Sequence, residues 1–328
     1  MDASRLETRS DPVTGKLGPL WKLLLAPGRP DVAINISKTS FGSWWVPRTS
    51  DAQEWPIFER AVVGGFEAPC LAFAFGAAYQ MALRRLVPGL PMDLVACIAA
   101  TEEGGAHPRA IQSTIRQLGD QGSNAFTLAG HKKWITLAAE ASVFLVAAST
   151  GMAPDGRNQI RLVRVPRNAP GLSVLPMKSV PILPEISHGE VTFDGVRITP
   201  DAILPGDGYT DYLRTFRTVE DLFVSAGLLG FTFRAARDRG WPRAVIELLT
   251  CHLAGMHAIA GADLTAPETH VALGGLLAQQ RQVLEHVDKL WQTTDPASRD
   301  AWNRDKLVLE VAGKARAARL ETAWKRLG

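Results

Sequence analysis

From Trp55 to about Leu86, apolar residues recur at three- and four-residue spacing, with alanine, glutamate, glutamine and methionine between them. That period predicts packed helices. The adjacent Gly64-Gly65 and the later Pro69 predict that this helical stretch is broken. The preceding segment, with Pro30, Pro47 and the Gly42-Ser43-Trp44-Trp45 patch, has weak periodicity and receives no element. Between Leu94 and Leu204 the pattern becomes short runs bounded by Gly, Pro, Asp and Asn, at 94–102, 111–118, 125–136, 141–150, 159–167, 172–178 and 190–198. Several alternate apolar and polar positions, which predicts strands of a β-barrel or sandwich with no helix of useful length among them. After Asp211 the helical period returns, through Leu222-Phe223-Val224 to Leu228-Leu229, then Ala244 to Ala260, His270 to Trp291 and Trp302 to Leu327, separated by Pro242, Pro267 and Pro296. Helices, then strands, then helices predict an α+β protein: an N-terminal helical domain over 1–93, a middle β-barrel domain over 94–206 and a C-terminal helical bundle over 207–328.

Composition narrows the function classes. A chain of 328 residues, 46% hydrophobic and 21% charged, can bury the cores of two or three domains. A formal charge of +3 gives no electrostatic case for nucleic acid or an anionic membrane as the main partner. The surplus is local: Trp302 to Gly328 holds seven basic and three acidic residues. Cys70, Cys97 and Cys251 lie far apart in apolar surroundings, which predicts buried thiols in a reducing compartment and no metal site. His252, His257, His270 and His286 show no ligand spacing and are expected to be core or surface residues. The amino-terminal MDASRLETRSDP carries no leader pattern, and no apolar run approaches a bilayer span, so a cytoplasmic, soluble protein is expected.

Two stretches carry more than texture. Thr101-Glu102-Glu103-Gly104-Gly105-Ala106-His107-Pro108 ends the first strand, and Gly130-His131-Lys132-Lys133-Trp134-Ile135-Thr136 closes the third. A glycine-rich turn lets backbone N–H groups approach ligand oxygens, Trp134 offers a flat face, and Thr136 sets a hydroxyl beside it. The bland alternative is a hairpin turn and a core aromatic. Together these segments resemble the TEPGAGSD and G-x-K-x-W-I-T motifs of the acyl-CoA dehydrogenases. His188 to Val196 and Leu204 to Tyr209 resemble that family's H-x-x-V-x-F-x-x-V and the exit from its barrel. The resemblance implies the family's fold, FAD, a role in fatty acid metabolism, a homodimer or homotetramer, and an acyl thioester substrate carried on CoA or a carrier protein. It makes Ala100, Thr101, Trp134 and Thr136 flavin contacts, with Gly104 and His107 in the turn. His107-Pro108 stands where the family has Ser-Asp, which removes a hydroxyl and a backbone donor. Arg239 is the counterpart of the family's R-x-x-F-G arginine, although the surrounding Arg237-Asp238-Arg239-Gly240-Trp241-Pro242 also reads as a helix end flanked by solvated arginines.

The resemblance also implies where a base should sit. In most members it follows a glycine-rich motif near the carboxyl end, and this sequence is expected to lack it because it stops about where that motif would begin. A minority, including the isovaleryl- and long-chain enzymes, place it in a segment like LERLVLAGGPLG, matched here by Val219 to Gly230, which assigns the role to Glu220. Asp221 stands where relatives commonly have Arg. Phe223, Val224 and Gly227 share its helical face and are expected to form an apolar wall with room for an acyl chain. The structural alternative makes Thr218 an N-cap, with Glu220 and Asp221 in a first turn favoured by the helix dipole. Two further readings stay open: a flavin-free, inactive thioester- or partner-binding protein of this fold, and a DNA-associated relative contacting phosphates through Arg316, Arg319, Lys325 and Arg326.

Overall fold

The computed structural model describes residues 18–26, 39–50, 55–119, 125–178, 180–309 and 312–328. The amino-terminal MDASRLETRSDP, Pro30 and Glu310 lie outside them.

Two helices fall in the stretch whose periodicity was too weak to assign, α1 (Gly18–Leu25) and α2 (Phe41–Ser50). The Trp44-Trp45 patch is buried there against Phe41 and Phe73. Next come α3 (Ile57–Glu67) and α4 (Leu71–Leu86), parted at Pro69 as its missing N–H requires. Gly64-Gly65 does not break α3, contrary to expectation. The pair lies inside the helix because α5 (Arg214–Asp238) passes so close that a Cβ on Gly65 would stand 1.9 Å from the Gly227 carbonyl oxygen. Gly230 meets the Val62 carbonyl in the same way, at 2.3 Å. Glycine here lets backbones touch; it does not end a helix.

Seven strands follow, one on each run that alternation marks: β1 (Ala96–Ala99), β2 (Thr114–Gln117), β3 (Phe126–Thr136), β4 (Val143–Met152), β5 (Asn158–Pro166), β6 (Leu172–Pro176) and β7 (His188–Ile198), with β4, β5 and β7 extending one or two residues beyond theirs. They make one curled sheet. β4 lies parallel to β1 and, further along, to β2, and it takes β5 antiparallel on its other side. β3 joins β2 to β7, and β6 closes that end. Irregularities in the β3–β7 register, between Leu128 and Gly130 and between Lys132 and Ile135, supply curvature.

A π-helical turn, Gly208–Leu213, leads from the sheet into α5, capped by Asp207, whose carboxylate accepts from the Tyr209 and Thr210 N–H groups. Thr218 is therefore no N-cap, and Glu220 and Asp221 lie beyond the first turn. After α6 (Arg243–Ala260) and α7 (Pro267–Trp291), the stretch expected as one helix from Trp302 to Leu327 is interrupted. α8 (Pro296–Asp305) passes into a 3-10 turn at Lys306–Leu309, and α9 (Gly313–Leu327) follows. Trp302 is drawn inward by stacking on Trp291, with centroids 5.1 Å apart, which sets α8 apart from α9. Of the three cysteines only Cys97 is fully buried; Cys70 is half-buried and Cys251 exposed.

α4 is buried on nearly every side, so its polar groups must find partners. They find β1. Gln80 exchanges two 2.8 Å hydrogen bonds with the Ala96 backbone, the Ile98 N–H donates to the Tyr79 hydroxyl at 2.9 Å, and Arg84 donates to the Leu94 carbonyl at 2.6 Å. These bonds fix the rim of the sheet against the helices.

Candidate functional site

A crevice of about 210 Å³ opens between that rim and the start of α5. Ala100, Thr101, Trp134 and Thr136 line it from the sheet; Tyr79, Phe216 and Glu220 line it from the helices. The four residues expected to touch a flavin and the expected base thus share one cavity, although 86 positions separate Trp134 from Glu220.

The local backbone explains the placement. Trp134 adopts φ +58°, a left-handed conformation rare for a bulky residue, at the bulge between Lys132 and Ile135. The bulge turns the indole out of the sheet, where it is 58% exposed. Strain and an uncovered aromatic each cost free energy, and both are accounted for if a flat molecule covers the ring. Beneath it, Lys132 is fully buried, donating to Glu102 Oε1 at 2.6 Å and to the Ala147 carbonyl at 2.6 Å. Glu102 also accepts from the Gln112 and Ser113 N–H groups at 2.7 and 3.0 Å. Burial works against the Glu102 charge, yet Lys132 and these donors hold its carboxyl below the ordinary value. The Lys133 N–H donates to the Thr101 carbonyl at 2.8 Å, so the two motifs are stitched together beside the crevice. Sequence reasoning missed this buttress and missed Tyr79. The signal for the former was a Lys and a Glu inside otherwise matching motifs.

Glu220 is half-buried, and no hydrogen bond to its carboxylate occurs among the described residues. Burial, then the neighbouring Asp221 charge, push its pKa up to about 7, against the opposing pull of Arg217 and Arg316. Asp221 points the other way and is buried, paired with Arg316 at 2.8 Å and with Arg319. Two of the four cations considered for phosphate contacts are therefore committed to an internal carboxylate, and Lys325 pairs with Glu321 at 3.3 Å.

Other expected site residues fall outside the crevice. Gly104 lies in a neighbouring depression with Gly130 and His131. His107 is exposed; its Nδ1 accepts from the Arg109 N–H at 3.3 Å and its ring stands 6.1 Å from Tyr209, which does line the crevice. Arg239 is at the far end of α5, about 28 Å from Glu220 by helical rise, where it donates to Ser298 at 2.9 Å and stacks over Trp291. The acyl wall fails too. Gly227 is filled by α3 and α4, a Cβ there standing 2.5 Å from that of Ala78, and Phe223 packs on Phe58. His257 is buried against Glu59, 3.0 Å away. No group of three His, Cys, Asp or Glu able to hold a metal occurs among the described residues, and none of their helices is long and apolar enough to cross a membrane.

Comparison with known proteins agrees with the fold. The family model for the acyl-CoA dehydrogenase middle domain matches residues 97–196. The human mitochondrial short-chain specific acyl-CoA dehydrogenase is 34% identical over 126 residues, which is 38% of this chain and 29% of that relative, so the match spans under a third of its length. Among solved structures, PigA with FAD and proline superposes with a TM-score of 0.68 at 16% identity, covering 100% of this chain and 99% of that one. The prolyl acyl carrier protein oxidase AnaB gives 0.60 at 14% identity, over 88% of both chains. At such identities the structures speak for the fold.

Proposed function

The chain belongs to the acyl-CoA dehydrogenase family, and from that premise we propose that it is a flavin-dependent enzyme that desaturates an acyl thioester between its α and β carbons, with Glu220 as the base. The observation that carries this reading is the convergence of Trp134, Thr136, Thr101 and Glu220 on one crevice. FAD is the group the residues fit: Trp134 offers an uncovered aromatic face, with the Thr136 hydroxyl and the backbone about Ala100 and Thr101 beside it. Bound there, the flavin would supply the acceptor for the hydride from the β-carbon. Glu220 takes the proton from the carbon beside the thioester carbonyl. A carboxylate with a pKa of about 7 is matched to that task, since it is half ionised near neutrality yet more basic than an ordinary carboxylate. Tyr79 and Phe216, stacked edge to face at 6.0 Å, exclude water from its flank.

PigA is solved with FAD and proline and AnaB is a prolyl acyl carrier protein oxidase, so both carrier protein and CoA belong to the proposed substrate class. The test has two parts. The pure protein is titrated with FAD and its visible spectrum recorded; absence of binding at excess flavin would remove the cofactor. Exchange of the thioester α-proton with solvent deuterium is then followed in the wild type and in Glu220→Gln. A loss of about 10²- to 10⁴-fold is expected, and an unchanged rate would remove Glu220 from the reaction.

A further inference from the structure

A second cavity, of about 260 Å³, lies around α5 from the crevice, where the first turns of α5 face α7 and α9. Its walls carry Arg214 and Arg217 from α5, Arg319 and Arg326 from α9, and His270 from α7. Leu264 and Ala318 give it an apolar floor, and no carboxylate lines it. Arg319 is held by Asp221. Arg214, Arg217 and Arg326 form no ion pair with a carboxylate among the described residues. The positive charge in the cavity reaches His270, whose pKa is pushed down by burial and, further, by Arg319, Arg326 and Arg214. The His270 Nε2–H donates to the Leu264 carbonyl at 3.0 Å.

A cavity that gathers guanidinium groups over an apolar floor, without a carboxylate of its own, is complementary to an anion carrying a carbon skeleton. Guanidinium forks match phosphate oxygens in pairs, and Arg214 and Arg326, joined by Arg217, whose charge is only partly offset by Glu220, suit a phosphate dianion better than a single carboxylate. We propose that this cavity binds an organic phosphate, its phosphoryl oxygens held by Arg214, Arg217 and Arg326 and its carbon portion resting on the Leu264 and Ala318 floor. Arg217 also lines the crevice beside Glu220, so the two cavities are neighbours. The site stands independently of the dehydrogenation reading. Two sources share its chemistry: the phosphopantetheine arm of a carried thioester, and a separate nucleotide.

The test is calorimetric titration of the full chain with phosphopantetheine, pantetheine, AMP and adenosine, at low and high salt. Arg217 is left in place because it also faces the crevice; the variants are Arg326→Gln and the pair Arg214→Gln with Arg326→Gln, each checked for an unchanged thermal midpoint. At least one phosphorylated compound is expected to bind once per chain, about tenfold or more tighter than its dephosphorylated counterpart. That preference should weaken with salt, fall in Arg326→Gln and further in the double variant, and persist in Glu220→Gln. Tighter binding of phosphopantetheine assigns the site to the thioester arm; tighter binding of AMP assigns it to a nucleotide. Equal binding with and without phosphate, no binding of any of the four, or wild-type affinity in the double variant would overturn the proposal.

Discussion

Replacing Glu220 with Gln separates the stability of this fold from its chemistry. An unfolded glutamate titrates near 4.3, whereas burial and Asp221 hold Glu220 at about 7 in the folded chain. The folded state therefore binds this proton more tightly than the unfolded state. Below the unfolded value the carboxyl is neutral in both states and costs nothing. As pH rises from there to the folded value a growing penalty is laid on the native state, and above about 7 the penalty is constant. From these two values the wild type should lose about 2–3 kcal/mol relative to the glutamine variant between pH 5 and pH 8. The amide is neutral throughout, so any cost of burying it cancels between the two pH values. Urea unfolding of both proteins at pH 5 and pH 8, followed by far-ultraviolet circular dichroism, measures the double difference. Glu220→Gln should be the more stable protein at pH 8 while losing proton abstraction. A double difference near zero, or one of opposite sign, would mean that Glu220 is solvated and that its basicity is ordinary.

Asp221→Asn should lower the pH midpoint of α-proton exchange, because one of the causes raising Glu220 is removed, and should expose α9 to limited proteolysis, because Arg316 and Arg319 lose their partner. Lys132→Met leaves Glu102 charged and buried without its cation, and is expected to cost about 3–5 kcal/mol in urea unfolding. Trp134→Gly relieves a left-handed backbone at an exposed side chain, so unfolding should change by within about 1 kcal/mol while flavin affinity, read by fluorescence quenching, falls about tenfold or more. Gly65→Ala places a methyl group on the Gly227 carbonyl and should lower stability by about 3 kcal/mol or more, since only a backbone shift can accommodate it.

Much of the architecture was legible because each signal was local. Alternation in 190–198 marks β7, and the return of helical period after Asp211 marks α5. Motif order singles out Trp134 and Glu220, each motif being short and continuous, and both line the one crevice. What escaped depended on contacts between distant segments. Gly64-Gly65 looks the same in sequence whether it ends a helix or admits another one, and only the passage of α5 decides. Thr218 followed by acids mimics a helix start, but Asp207 already caps the turn eleven residues earlier. Lys132 in an apolar strand looks like an outward-facing charge until Glu102 is brought beneath it by the curl of the sheet.

The conflict between motif and packing is sharpest along α5, and it shows how a carboxylate of raised basicity is kept there. The helix serves four neighbours with different faces. Gly227 and Gly230 press against α3, Asp221 is bound by α9, Arg214 and Thr218 face the arginine-lined cavity, and Phe216 and Glu220 turn to the sheet rim. Close glycine packing fixes the helix axis and its rotation, and the Asp221 ion pairs resist rotation from the opposite side. The helix cannot carry Glu220 toward solvent by turning about its own axis without breaking one of those contacts. Its raised pKa therefore follows from the packing of residues that never touch a substrate, and substitutions at Gly65 or Asp221 should alter proton abstraction even though neither lines the crevice.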